Sequence, residues 1–96
     1  MTDKLLGLRR ELDKLDDRIL DVLSDRLAIC RQVALHKVEA GIPMMQTSRV
    51  AEVKSRAAAK GKSKGLSEEF VLSLYEIVIN EACRIENEII GNCKEL

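Results

Sequence analysis

Between residues 3 and 40 the chain has no proline and a single glycine, Gly7. Apolar residues fall at Leu5, Leu8, Leu12, Leu15, Ile19 and Val22, and again at Ile29 and Val33. Steps of three and four residues form the heptad-like seam of one long helix. At 1.5 Å per residue this helix is roughly 50 Å long. A compact chain of this size has a radius of gyration of about 13 Å. One protomer cannot cover such a helix, so a partner subunit is expected.

Gly41 is placed to cap that helix at its C-terminus, and Pro43 ends the element. Thr47 or Ser48 is expected to cap a second, shorter helix, with Val50, Val53 and Ala57 on one face. Gly61 and Gly65 bracket "KGKSKG", which reads as a flexible connection. Ser67 then caps a third helix, with Leu66 placed to staple onto Val71, and the helix is expected to end near Gly91. No strand-like alternation or internal repeat is present. The pattern therefore predicts an all-α fold of three helices, long, short and medium. The three are expected to form one domain over residues 1–96 and to pack as an intertwined homodimer.

Two residues break the apolar stripes. The seam's missing heptad position is Arg26, and Lys37 follows eleven residues later on nearly the same face. In the third helix, Tyr75, Ile79, Ala82, Glu86 and Ile89 follow helical spacing, which places Glu86 on an apolar stripe. A charge on a core face is costly unless paired. Two readings stand open. Arg26 or Lys37 pairs with Glu86 for structure alone, or these groups line a pocket for a small carboxylate-bearing anion. The segment "GIPMMQTSRV" adds apolar wall residues and another cation, Arg49. His36 reads as a residue of the helix end, Met44 and Met45 as packing, and "RRELDKLDDR" as a solvated face. Tyr75, Cys30 and Cys83 read as core residues.

Composition narrows the function classes. Of 96 residues, 16 are basic and 16 acidic, so the usual electrostatic case for nucleic acid or an anionic membrane is missing. Phe70 and Tyr75 are the only aromatics, too few for base stacking. The start "MTDKLLGLRRELDK" lacks an unbroken apolar run, and no segment approaches a membrane span, so a cytoplasmic protein is expected. Cys30, Cys83 and Cys93 have no C-x-x-C spacing and read as reduced thiols. With one histidine there is little ligand set for a metal, and none is expected.

The segments "LLGLRRELDKLDDRILDVLSDRLAICRQVALHK", "IPMMQTSRV" and "LSEEFVLSLYEIVINEACRIENEI" resemble the all-helical chorismate mutase family over about residues 5–90. The resemblance implies a homodimer with two sites, each completed by an arginine from the start of the partner's first helix. Arg9 matches that arginine. It lies 17 residues before Arg26, roughly 100° out of phase. By the same resemblance, Arg9 and Arg26 bind the carboxylates of a small-molecule dicarboxylate. Lys37 reaches a carboxylate and the ether oxygen, Arg49 stands at the pocket wall, and Glu86 faces the ether oxygen from the other side. The implied reaction is the Claisen rearrangement of chorismate to prephenate, which needs no metal or cofactor.

This chain departs from the family pattern at four positions. Glu86 stands where many bacterial members have Gln. To donate a hydrogen bond it must be protonated, so burial is expected to raise its pKa and to favour activity at mildly acidic pH. Gln46 and Val50 replace an acidic residue and a Glu that contact the ring C4 hydroxyl, and Ala82 replaces a Ser. Recognition at C4 is therefore expected to differ. The loop is also similar to a sub-branch containing 4-amino-4-deoxychorismate mutases and isochorismate-pyruvate lyases, which are the second and third readings. A non-catalytic helical interaction module, with Arg26 fixing register, is a further alternative.

Overall fold

The structure is a computed structural model that describes residues 2–94, with side-chain environments through residue 91. It contains three helices, α1 (Asp3–Ala40), α2 (Thr47–Ser63) and α3 (Glu68–Lys94), and no strand among the described residues. The all-α, long–short–medium expectation holds.

Helix α1 is bounded by matching end signals. Thr2 accepts the Leu5 amide through its side chain at 3.2 Å. Gly41 adopts φ 68°, the left-handed conformation that closes a helix most easily at glycine. The Ile42 amide then donates back to the Lys37 carbonyl at 2.9 Å. The chain reverses through Pro43, and α2 begins one residue earlier than the Thr/Ser signal placed it. Gln46 takes the cap position, and its side chain makes no capping bond. At α3 the expected cap is present, with the Phe70 amide donating to Ser67 Oγ at 3.3 Å.

The "KGKSKG" segment differs from expectation. Helix α2 continues through it to Ser63, and only Gly65, at φ 80°, makes the turn. Gly61 is buried inside the helix because the Val71 side chain of α3 lies where a Cβ would be. An added Cβ would meet Val71 Cγ2 at 2.7 Å. Here glycine serves close helix packing rather than flexibility, which offsets its low helix propensity. Gly91 likewise does not end α3, which runs on to Lys94.

Helix α3 is the central element, packing against α1 along one part of its surface and against α2 along another. Among the described residues the buried apolar ones are few: Ala34 on α1, and Val71, Ala82 and Ile85 on α3. The radius of gyration is 17.4 Å and the molecule extends 59 Å along its longest axis. Its accessible surface is 7618 Å², against about 5,500 Å² for a compact chain of this mass. The excess, about 2,000 Å², includes the α1 seam, where Leu12, Ile19 and Val22 are 58%, 56% and 64% exposed. No helix among the described residues is long and apolar enough to cross a membrane.

Candidate active site

The second half of α1, the loop, the start of α2 and the second half of α3 enclose a cavity of about 570 Å³. This lies within the range typical of small-molecule sites. Its apolar wall includes Ile29, Val33, Ile42, Met44, Met45, Val53 and Ile79. The polar groups converge from three elements. Arg26 and Lys37 come from one stripe of α1, Gln46 and Arg49 from the α2 entry, and Glu86 from α3. Val50 and Ala82 complete the set.

Lys37 and Glu86 form the centre. Lys37 Nζ donates to Glu86 Oε1 at 2.9 Å and to the Met44 carbonyl at 2.7 Å. The two side chains are only 15% and 10% exposed. Burial of this kind weakens water's screening, so each charge depends on the other. The Met44 carbonyl fixes the ammonium from the loop side, which explains why an apolar loop lies against the end of α1. The pairing that the sequence left open between Arg26 and Lys37 is made by Lys37.

Arg26 has no carboxylate partner among the described residues. Its Nη1 lies 3.7 Å from Cys30 Sγ, one helical turn on. Arg49 lines the cavity, but its guanidinium pairs with Glu52 at 2.6 Å on the exposed rim. Arg26 and Arg49 also border a second cavity of about 550 Å³ between α2 and α3. There Arg56, Lys60 and Lys64 stand over an apolar floor that includes Leu66, Phe70, Val71 and Leu74. Tyr75 opens onto this second cavity rather than the first.

The cavity thus brings together Arg26, Lys37, Gln46, Arg49, Val50, Ala82 and Glu86. It does not include Arg9, an exposed residue of the first half of α1. On an ideal helix Arg9 lies about 26 Å from Arg26 along the axis, too far to serve the same cavity within one chain.

Three contributions escaped sequence reasoning. The Met44 carbonyl is backbone and leaves no residue signature. Cys30 and Cys83 are half-buried cavity residues rather than core. The i,i+4 spacing of Arg26 and Cys30 was a usable signal. Burial, reinforced by the Glu86 carboxylate, pushes the Cys83 thiol above its ordinary range, with Lys37 acting in the opposite direction. Cys93 lies outside the residues whose side chains are described.

Among the described residues the cavity gathers the cations Arg26, Lys37 and Arg49 and the Glu86 carboxyl within an apolar wall, a lining whose chemistry suits a small anion. The profile of the family described as chorismate mutase type II matches residues 8–87. The chain belongs to this family. It is 41% identical to a 4-amino-4-deoxychorismate mutase of Streptomyces venezuelae, over 93% of this chain and 86% of that protein. It is 38% identical to a 4-amino-4-deoxychorismate mutase of Streptomyces pristinaespiralis, over 95% of this chain and 70% of that protein. A chorismate mutase of Methanocaldococcus jannaschii is 27% identical over 82% of this chain and 80% of that protein.

Proposed function

We propose that this chain is an isomerase that rearranges chorismate to prephenate, with the cavity around Lys37 as its active site. The observation that carries this reading is the buried, doubly held Lys37 ammonium beside Glu86, in a cavity that also holds Arg26. In a Claisen rearrangement one C–O bond breaks as one C–C bond forms, within a single molecule. Negative charge grows on the ether oxygen. A preorganised ammonium stabilises it without reorganisation, and removing one such donor typically costs ~10²–10³ in rate. The apolar wall restricts the substrate to a folded conformer with its reacting carbons close together. Arg26 binds a carboxylate, Arg49 swings from Glu52 to close the rim, and Glu86 orients the Lys37 ammonium through their 2.9 Å hydrogen bond.

We further propose that the working unit is a homodimer in which Arg9 of one protomer completes the partner's cavity. The exposed leucine seam of α1 and the excess surface support this. So does the groove beside the site, whose cations and apolar floor complement a helix carrying both leucines and acidic residues.

A second reading, 4-amino-4-deoxychorismate as substrate, has specific support. Gln46, Val50 and Ala82 line the cavity without a carboxylate or hydroxyl for a C4 alcohol, and the Gln46 carbonyl can accept from an amine. The names of the two Streptomyces relatives point the same way. Parallel incubation with chorismate, 4-amino-4-deoxychorismate and isochorismate, with products identified, tests all readings. Prephenate supports the first reading, its 4-amino counterpart the second, and pyruvate a lyase. Turnover of none would remove the enzyme.

A further inference from the structure

We propose that Cys30 and Cys83 form a thiol modification site in the wall of the substrate cavity, where a soft electrophile small enough to enter adds to sulfur and shuts the site. The two thiols come from different helices, α1 and α3, and both line the cavity that holds Lys37 and Glu86. Both are free and half-buried, so each is reachable from the cavity rather than sealed in a core. The reaction proposed for the cavity uses neither of them. Cys30 Sγ is 3.7 Å from Arg26 Nη1, so an adduct there occupies the space in which the carboxylate-binding guanidinium rests. Cys83 stands three residues before Glu86 on α3, about one helical turn away, and lines the same cavity as Lys37 and Cys30. An adduct on Cys83 therefore crowds the central ion pair.

With a maleimide as probe the step balances. The thiolate attacks one alkene carbon, a C–S bond forms, and the π pair takes up the proton that the thiol gave up. Nothing leaves, and no oxidant is needed. Thiolate is the reacting form. Burial and Glu86 hold the Cys83 thiol above its ordinary range, against the opposing effect of Lys37. Addition at Cys83 should therefore accelerate as pH rises through that raised value.

The loss-of-function half of this proposal rests on the cavity being the substrate site. The test uses the full chain with Cys93→Ser, so that only the two cavity thiols remain. N-ethylmaleimide is added, adducts are mapped by peptide mass spectrometry over time, and activity is read against each variant's own untreated rate. Activity should fall in step with the first adduct at Cys30 or Cys83. Substrate at about ten times its Kd should slow labelling about tenfold, because only the free fraction reacts. The Cys30→Ala/Cys83→Ala variant should resist the reagent. If that variant fails to fold, each single Cys→Ala variant reports on the remaining thiol. Full activity in labelled protein, labelling indifferent to substrate, or labelling only after denaturation would overturn the proposal. Failure of the enzyme reading shows separately, as untreated protein that turns over none of the three substrates. Labelling of native protein at either thiol would then uphold the modification site, and its absence would sink it.

Discussion

Replacing Lys37 with Met keeps the stem and removes the ammonium, which tests the centre of the site. Two losses follow from the geometry. The Glu86 carboxylate, in a side chain 10% exposed, loses a cation 2.9 Å away. The Met44 carbonyl loses its donor at 2.7 Å. The gross attraction at that separation is about 6 kcal/mol at an effective dielectric of 20. The measurable cost of orphaning one member of a buried pair is about 3–5 kcal/mol. Residual exposure of both side chains places the expectation at the lower end, about 3 kcal/mol. A chain of this length has about 5–14 kcal/mol in total, and for a domain this small about 3 kcal/mol corresponds to roughly 12–24 °C in Tm. Adding Glu86→Met removes the orphaned charge and should recover about 2 kcal/mol. The remainder should persist, because the Met44 carbonyl still lacks a donor. Activity should behave differently, falling ~10²–10³ in the single variant and staying low in the double. Denaturant titration by circular dichroism, at one fixed chain concentration, measures stability, and loss of substrate absorbance measures rate. A double variant no more stable than the single would refute the buried-pair reasoning. A single variant within about tenfold of the parent rate would refute the role of Lys37 as donor.

Three other outcomes are expected. Arg9→Ala and Lys37→Met homodimers should each be nearly inactive, yet mixing them should restore about a quarter of parental activity, because half the dimers then carry one intact site; no recovery would exclude sharing across the interface. Gly61→Ala should destabilise by about 1–3 kcal/mol despite alanine's better helix propensity, because its Cβ would meet Val71 Cγ2 at 2.7 Å. Adding Val71→Ala should relieve part of that strain in a thermal melt. Lys54 joins α2 to Glu76 of α3 and holds that carboxyl below its ordinary range, through the hydrogen bond first and charge second. The Lys54–Glu76 contribution is therefore present above the unfolded carboxylate pKa of about 4.3 and is lost as pH falls through the lower folded value. Lys54→Met should show a small stability deficit at neutral pH that shrinks as the pH falls below the unfolded carboxylate value.

Local chemistry made the three helices legible in the sequence. Apolar spacing, the glycine at position 41, the single proline and the serine at 67 act over a few residues, and their effects do not depend on distant partners. Arg26, Lys37 and Glu86 were legible for a related reason: a charge on an apolar stripe stands out wherever the stripe lies. The sequence also implied a partner, since a helix as long as α1 exceeds what one small protomer can cover. Tertiary structure decided what depends on neighbours far along the chain. Gly61 is a packing glycine because Val71 of another helix lies against it, and Gly65 alone turns the chain. Lys37 pairs with Glu86 across 49 residues and is held by a loop carbonyl. Cys30 and Cys83 face a cavity rather than a core. Each of these depends on which surfaces α3 presents to α1 and to α2. Helical periodicity gives the face a residue occupies, but not what the fold brings against it.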